Sequence, residues 1–160
     1  MLREGDRAPD LDGVDQHGRR HRLEELLAGG PLVVFFYPKD ETPVCTREAC
    51  HFRDGHGRLG ALGASVVGVG GGDAESHRRF AETLGLPYPL LLDEDGRIAR
   101  AWKATWPLGG LRRRVTYVVD TDGTIAAAIW DELRAGRHLA RAEEVLDRLS
   151  RRNGAAPSSD

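Results

Sequence analysis

Only two of the 160 residues are cysteine, Cys45 and Cys50; methionine occurs once, and lysine only at Lys39 and Lys103. Two cysteines are too few for the disulfide scaffold of a small secreted domain, and a bond between them is expected to be transient and catalytic. Long hydrophobic runs are missing as well. The longest, from Pro31 to Tyr37, falls far below the roughly 18 residues that a membrane span needs. The opening Met-Leu-Arg-Glu-Gly-Asp is charged and lacks the apolar core and small-residue cleavage site of a secretory signal, so the cytoplasm is the expected location. Nor is there an excess of either charge: 23 basic residues stand against 25 acidic ones, giving a field that steers toward neither nucleic acid nor an anionic membrane.

What is present describes one α/β domain. A chain of 160 residues, 40% hydrophobic and 30% charged, can bury one good core but not two. The Asp12-Gly13 and His17-Gly18 pairs read as turns of a short N-terminal hairpin, and Leu23, Leu26 and Leu27 as a brief helix. Leu32 to Tyr37 is continuous, β-branched and aromatic, the pattern of a central strand covered on both faces. A helix is expected from about Pro43 to Leu62, a strand over Ser65 to Val69, a loop at Gly70 to Gly72, a helix over Ala74 to Leu84 and a strand over Pro87 to Leu92. Arg97 to Trp102 reads as helical, Val115 to Val119 and Thr124 to Trp130 as a hairpin around Asp120-Thr-Asp-Gly123, and the apolar stripe Leu139, Val145, Leu146, Leu149 as a last helix. One domain over 1–154 with a frayed tail over 155–160 follows, built as a mixed sheet with helices on both faces.

The two cysteines lie where the central strand gives way to a helix, the end of an α/β sheet at which ligands bind. Thr42 suits the N-cap and Pro43 the first helical position, so Cys45 falls in the first turn. Unpaired N–H groups and the positive end of the helix dipole there favour a thiolate, and the placement is expected to expose the sulfur. Cys50 follows five residues later, which in a helix means about 140° of rotation and about 7.5 Å of rise. A disulfide between them therefore requires the first turns to unwind. The run Arg112-Arg113-Arg114 reads, without further context, as a solvated edge.

Three other readings compete. Cys45, Cys50, His51 and His56 form a compact cluster of metal-ligand types, but on one helix they cannot converge on a tetrahedron. A thioredoxin-like disulfide reductase normally uses Cys-x-x-Cys, a spacing this chain lacks. A binding module that has kept a fold and lost its chemistry is the third.

The segment Phe36-Tyr37-Pro38-Lys39-Asp40-x-Thr42-Pro43-x-Cys45-Thr46-x-Glu48-Ala49-Cys50-x-Phe52-Arg53-Asp54 resembles the active-site signature of peroxiredoxins, most closely the bacterioferritin-comigratory, or Q-type, subfamily. The resemblance continues through Gly5-Asp6-x-Ala8-Pro9-Asp10, Glu75-Ser76-His77, Gly85-Leu86-Pro87 and Arg114-x-Thr116-Tyr117-Val118-Val119-Asp120, so it covers nearly the whole chain. It implies a thioredoxin-like fold and a thiol peroxidase with no cofactor and no metal. By the same resemblance Cys45 is the attacking cysteine and Cys50 the resolving one. Thr42 hydrogen-bonds the thiolate and peroxide, and Pro43 shields the sulfur. Arg114, unlike Arg112 and Arg113, stabilises the thiolate and polarises the O–O bond. Tyr37, Pro43, Val44 and Glu48 are expected to line the substrate pocket. The implied partners are a hydroperoxide and thioredoxin or a similar dithiol, with the chain a monomer. A one-cysteine peroxidase resolved by an external thiol is the alternative. Two departures stand out: Val44 where the family usually has glycine, and Gly70-Gly71-Gly72 where it commonly has serine and an acidic residue.

Overall fold

A computed structural model describes residues 1–107 and 110–153, with the side chain of Asn153 left aside. The expected frayed tail over 155–160 lies outside the described residues. In chain order the elements are β1 (Asp12–Val14), β2 (Arg20–Arg22), α1 (Leu23–Leu27), β3 (Leu32–Tyr37), α2 (Pro43–Ala61), β4 (Ser65–Gly70), α3 (Ala74–Leu84), β5 (Leu90–Leu92), α4 (Arg97–Ala101), β6 (Val115–Val119), β7 (Ile125–Trp130) and α5 (Ala135–Asn153).

β3 is central, as its sequence requires. The main sheet runs β5-β4-β3-β6-β7, with β3 parallel to β4 and antiparallel to β6. All six β3 side chains are buried, and the two-residue strand period divides them between two cores. Val33, Phe35 and Tyr37 join Phe52 of α2, Phe80 of α3 and Leu139, Val145 and Leu146 of α5. Leu32, Val34 and Phe36 face the other way, toward Leu11, Ile98, Trp102 and Tyr117. A strand apolar at every position is thus a strand with helices or loops over both faces.

Two local expectations are corrected. Asp12-Gly13 is not a turn but part of β1, which pairs antiparallel with β2; the reversal occurs later, where Asp15 Oδ1 accepts from the backbone N–H groups of His17 and Arg19. Gly70 belongs to β4 rather than to the loop, opposite Tyr37 in the parallel register. A Cβ at Gly70 would sit inside the Tyr37 ring, and one at Gly72 would meet the Asp40 carboxylate. These glycines therefore leave space for a buried tyrosine and its partner.

The antiparallel register matters most for function. Phe36 pairs with Val115, so the residue just before β6, Arg114, arrives at the carboxyl end of β3. That is where the chain turns into α2.

Candidate active site

Thr42 occupies the N-cap position of α2 with extended backbone angles, and Pro43 opens the helix. The first i→i−4 bond runs from the Thr46 N–H to the Thr42 carbonyl at 2.8 Å, which puts Cys45 in the opening turn. The Thr42 side chain does not cap the helix; its hydroxyl donates to the Lys39 carbonyl at 3.1 Å. Cys45 is 1% exposed, so the expected exposure of its sulfur is corrected. Helix packing draws the first turn into the core beneath Phe35 and Tyr37, while Thr42 and Val44 stay half-buried and Pro43 exposed.

A buried thiol is ordinarily an inert apolar group. Here Arg114 Nη1 donates to Cys45 Sγ at 3.0 Å, and the arginine is itself almost fully buried. Burial works against the guanidinium's charge, but its contacts with Cys45 and Glu48 outweigh that and hold it above the ordinary arginine value. The Arg114 backbone N–H donates to Glu132 Oε2 at 2.9 Å and Nε to the Glu132 carbonyl at 3.2 Å, which aims the head group. Trp130 Nε1 in turn donates to the same Glu132 oxygen at 2.8 Å.

Glu48, one helical turn after Cys45, lies with Oε1 3.4 Å from the same Arg114 nitrogen. It is fully buried, and Tyr37, like Cys45, is 1% exposed. Glu48 stands behind Arg114. Tyr37 lies under the loop into α2 and donates its hydroxyl to Asp40 Oδ1 at 2.7 Å. The other Asp40 oxygen accepts from Ser76 Oγ and His77 Nδ1, each at 2.6 Å, so the loop is tied to α3.

Arg112 and Arg113 are not a solvated edge. Arg112 reaches the Asp93 carbonyl and lies 3.4 Å from its carboxylate, and the Arg113 guanidinium sits 4.5 Å from the ring centroids of both Trp106 and Trp130. This cation–π sandwich flanks the strand that delivers Arg114.

Sequence reasoning missed His138. Its Nδ1 lies 2.7 Å from Thr116 Oγ1 and 3.3 Å from Glu48 Oε2, and its Nε2 2.9 Å from the Asp131 carbonyl. The available signal was a histidine falling on the apolar stripe of α5, between Ala135 and Leu139. Cys45 and Cys50 are both free thiols within the continuous helix, Cys50 partly exposed. His51 lies against Gly136 and the His56 ring beside Tyr88, and among the described residues no three His, Cys, Asp or Glu side chains form a metal-binding group.

A cavity of about 700 Å³ lined by Glu4, Ile125, Val145 and Arg152 lies away from this constellation.

A central strand that hands a cysteine to the first turn of a helix, with a buried arginine on its sulfur, defines a thiol-dependent peroxidase of thioredoxin-like fold. The comparisons agree. The AhpC/TSA family model matches residues 4–128. The chain is 38% identical over 146 residues to a putative chloroplastic peroxiredoxin Q of Oryza sativa subsp. indica, covering 91% of this chain and 67% of that protein. It is 42% identical over 132 residues to chloroplastic peroxiredoxin Q of Gentiana triflora, covering 82% of this chain and 60% of that one. Among solved structures, peroxidoxin BcpB of Mycobacterium tuberculosis superposes with TM-score 0.88 at 36% identity, over 93% of this chain and 99% of that chain. Peroxiredoxin Q of Xanthomonas campestris gives 0.78 at 27% identity, over 88% and 91%. The chain belongs to the AhpC/TSA family of peroxiredoxins.

Proposed function

We propose that Cys45 is the peroxide-attacking nucleophile, that Arg114 supplies its electrostatic stabilisation, and that Cys50 resolves the product. The observation that carries this reading is the 3.0 Å contact from Arg114 Nη1 to Cys45 Sγ inside a buried site, where a charge acts with little screening. The thiolate attacks the terminal oxygen of a hydroperoxide. The O–O bond breaks, Cys45 becomes a sulfenic acid, and the departing alkoxide or hydroxide takes a proton to leave as alcohol or water. Arg114 faces the negative charge on the sulfur before attack and the charge that develops on oxygen during it. Because the Thr42 hydroxyl spends its hydrogen on the Lys39 carbonyl, it offers a lone pair to the peroxide O–H. Peroxide reaches the sulfur past the half-exposed Thr42 and Val44.

Cys50 then attacks the sulfenic sulfur, water leaves, and a Cys45–Cys50 disulfide forms. With the two thiols five residues apart on an unbroken helix, that bond needs the first turns of α2 to open. A dithiol of the thioredoxin type reduces the bond and returns both thiols. The chain works in this reading as a monomer in the cytoplasm, a compartment that keeps such thiols reduced.

The test is one equivalent of hydrogen peroxide added to reduced protein, with a sulfenic-acid trap and peptide mapping. Oxidation is expected on Cys45 first and as a Cys45–Cys50 bond thereafter. Peroxide consumed with Cys45 left unmodified would contradict the assignment.

A further inference from the structure

The Arg114 nitrogen that touches the Cys45 sulfur is the same nitrogen that reaches Glu48: Nη1 is 3.0 Å from Sγ and 3.4 Å from Oε1. One guanidinium corner therefore faces two groups that can each carry a negative charge. How that corner is shared depends on whether Glu48 is ionised. Its other oxygen answers the question. Oε2 is fully buried and accepts no hydrogen bond from any described residue, yet His138 Nδ1 lies only 3.3 Å away.

The histidine's own contacts restrict the possibilities. Nε2 faces the Asp131 carbonyl, which can only accept, so Nε2 carries a hydrogen. In the neutral ring Nδ1 is then a bare acceptor, pointed at Thr116 Oγ1 and at Glu48 Oε2. An ionised Glu48 beside that neutral ring would place two lone pairs face to face between two fully buried side chains. It would also leave a buried carboxylate oxygen without a donor, an expensive arrangement. A single hydrogen between Oε2 and Nδ1 removes both difficulties.

We propose that Glu48 and His138 hold one proton between them, and that this proton reserves the charge of Arg114 for the Cys45 sulfur. With the proton in place Glu48 is a neutral neighbour of Arg114, and the guanidinium has one anionic partner, the thiolate. With the proton lost, Glu48 becomes a second anion on the same nitrogen, repels the thiolate and takes part of the charge that activates peroxide. Glu48 and His138 are positioning residues in this scheme; they act through Arg114.

The remaining surroundings agree. The charged or titratable groups facing Glu48 are Arg114 ahead of β6, His138 on α5, Glu132 in the segment between β7 and α5, Cys45 on its own helix, and Tyr88, whose hydroxyl is committed to the Ala49 carbonyl at 2.8 Å. With His138 neutral, only Arg114 among these favours an ionised Glu48. Burial pushes Glu48 up to about 8 despite that arginine, with Glu132 adding repulsion. Burial likewise lowers His138 below the ordinary histidine value, with Arg114 adding to the effect, so the proton rests mainly on the carboxyl.

The inference rests on Cys45 being the nucleophile, and its test separates the two. The rate of Cys45 oxidation by hydrogen peroxide is measured by stopped flow from about pH 5 to about pH 10 in the wild type and in Glu48→Gln, whose amide stays uncharged throughout. The wild-type rate is expected to fall about tenfold across a limb centred near pH 8, the size of one unit of coupling between two sites, and Glu48→Gln to lack that limb. Infrared difference spectra of the wild type across the same interval should lose one protonated-carboxyl band, a readout that stands even if the variant fails to fold. A wild type that reduces no peroxide at any pH overturns the nucleophile assignment. An active wild type with no such band, or an alkaline limb that persists in Glu48→Gln, overturns the shared proton alone.

Discussion

His77 on α3 and Asp40 in the loop before α2 meet at 2.6 Å with the histidine fully buried and the aspartate nearly so, and the other His77 nitrogen lies 3.0 Å from the Leu91 carbonyl. Both ring nitrogens face buried acceptors, so His77 ties the Asp40 carboxylate to β5. It holds the loop in which Glu41 adopts a left-handed backbone, φ +65°, immediately before the N-cap Thr42. Breaking a buried pair from one side leaves an uncompensated charge, so His77→Ala should cost about 3–5 kcal/mol in denaturant unfolding. A loss below about 1 kcal/mol would show that the loop is held by other contacts.

The same carboxylate sets an acid limit on stability. Burial of Asp40 works to raise its pKa, but hydrogen bonds from His77, Ser76 and Tyr37 outweigh it and leave the group below the ordinary value of 3.8. A depressed carboxylate contributes stability that is fully present above its unfolded value and fades as pH drops through the lower folded one. Asp40→Asn should therefore narrow its deficit against the wild type as pH is lowered below about 4, measured by urea midpoints. A deficit that stays constant down to pH 2 would assign the effect to shape rather than charge.

Arg114→Ala should slow the peroxide step about 100- to 1,000-fold, the usual effect of removing one donor from a site of developing negative charge. Glu132 holds the guanidinium through its backbone carbonyl and the Arg114 backbone N–H through its carboxylate, so Glu132→Gln should cost less than Arg114→Ala. Stopped-flow oxidation rates at fixed pH check both. An unchanged rate in Arg114→Ala would reduce the 3.0 Å contact to packing.

In the proposed mechanism, resolution by Cys50 has to deform α2. Hydrogen exchange over residues 43–53 should rise when the wild type is oxidised, and Cys50→Ser should show no such rise, consuming one peroxide per chain and then stalling as sulfenic or sulfinic acid. If Cys50→Ser turns over normally with a dithiol reductant, the enzyme is a one-cysteine peroxidase.

Gly70→Ala should destabilise the chain, because its Cβ would overlap the Tyr37 ring, and overpacking of this kind costs about 1–3 kcal/mol. Thermal unfolding measures it. A neutral substitution would mean that Tyr37 can leave its place without releasing Asp40.

The sequence made some of this legible and hid the rest for physical reasons. β3 could be read directly because a strand covered on both faces is apolar at every position, and the start of α2 because Thr42-Pro43 is local chemistry. Arg114 could not be read from local chemistry; its approach to Cys45 depends on an antiparallel register set 69 residues away, and only the family resemblance singled it out. His138 looked like one more member of an amphipathic helix, since its partners Thr116, Glu48 and Asp131 come from three other segments. The Arg112 and Arg113 reading failed for the same reason: what desolvates those two charges, Asp93 and a pair of tryptophans, is brought to them by tertiary folding. Cys45 was placed on the right turn but expected on the surface, because position on a helix end does not reveal which side of that end the core covers.

The proposed chemistry rests on one sulfur, that of Cys45. Cys45→Ser exchanges that sulfur for a hydroxyl far too weakly acidic to supply the nucleophile, while nearly preserving its shape. Peroxide consumption by the reduced variant, followed by stopped flow beside the wild type, should fall to the uncatalysed background with the fold intact by circular dichroism. Substantial peroxidase activity in the folded variant would contradict the account.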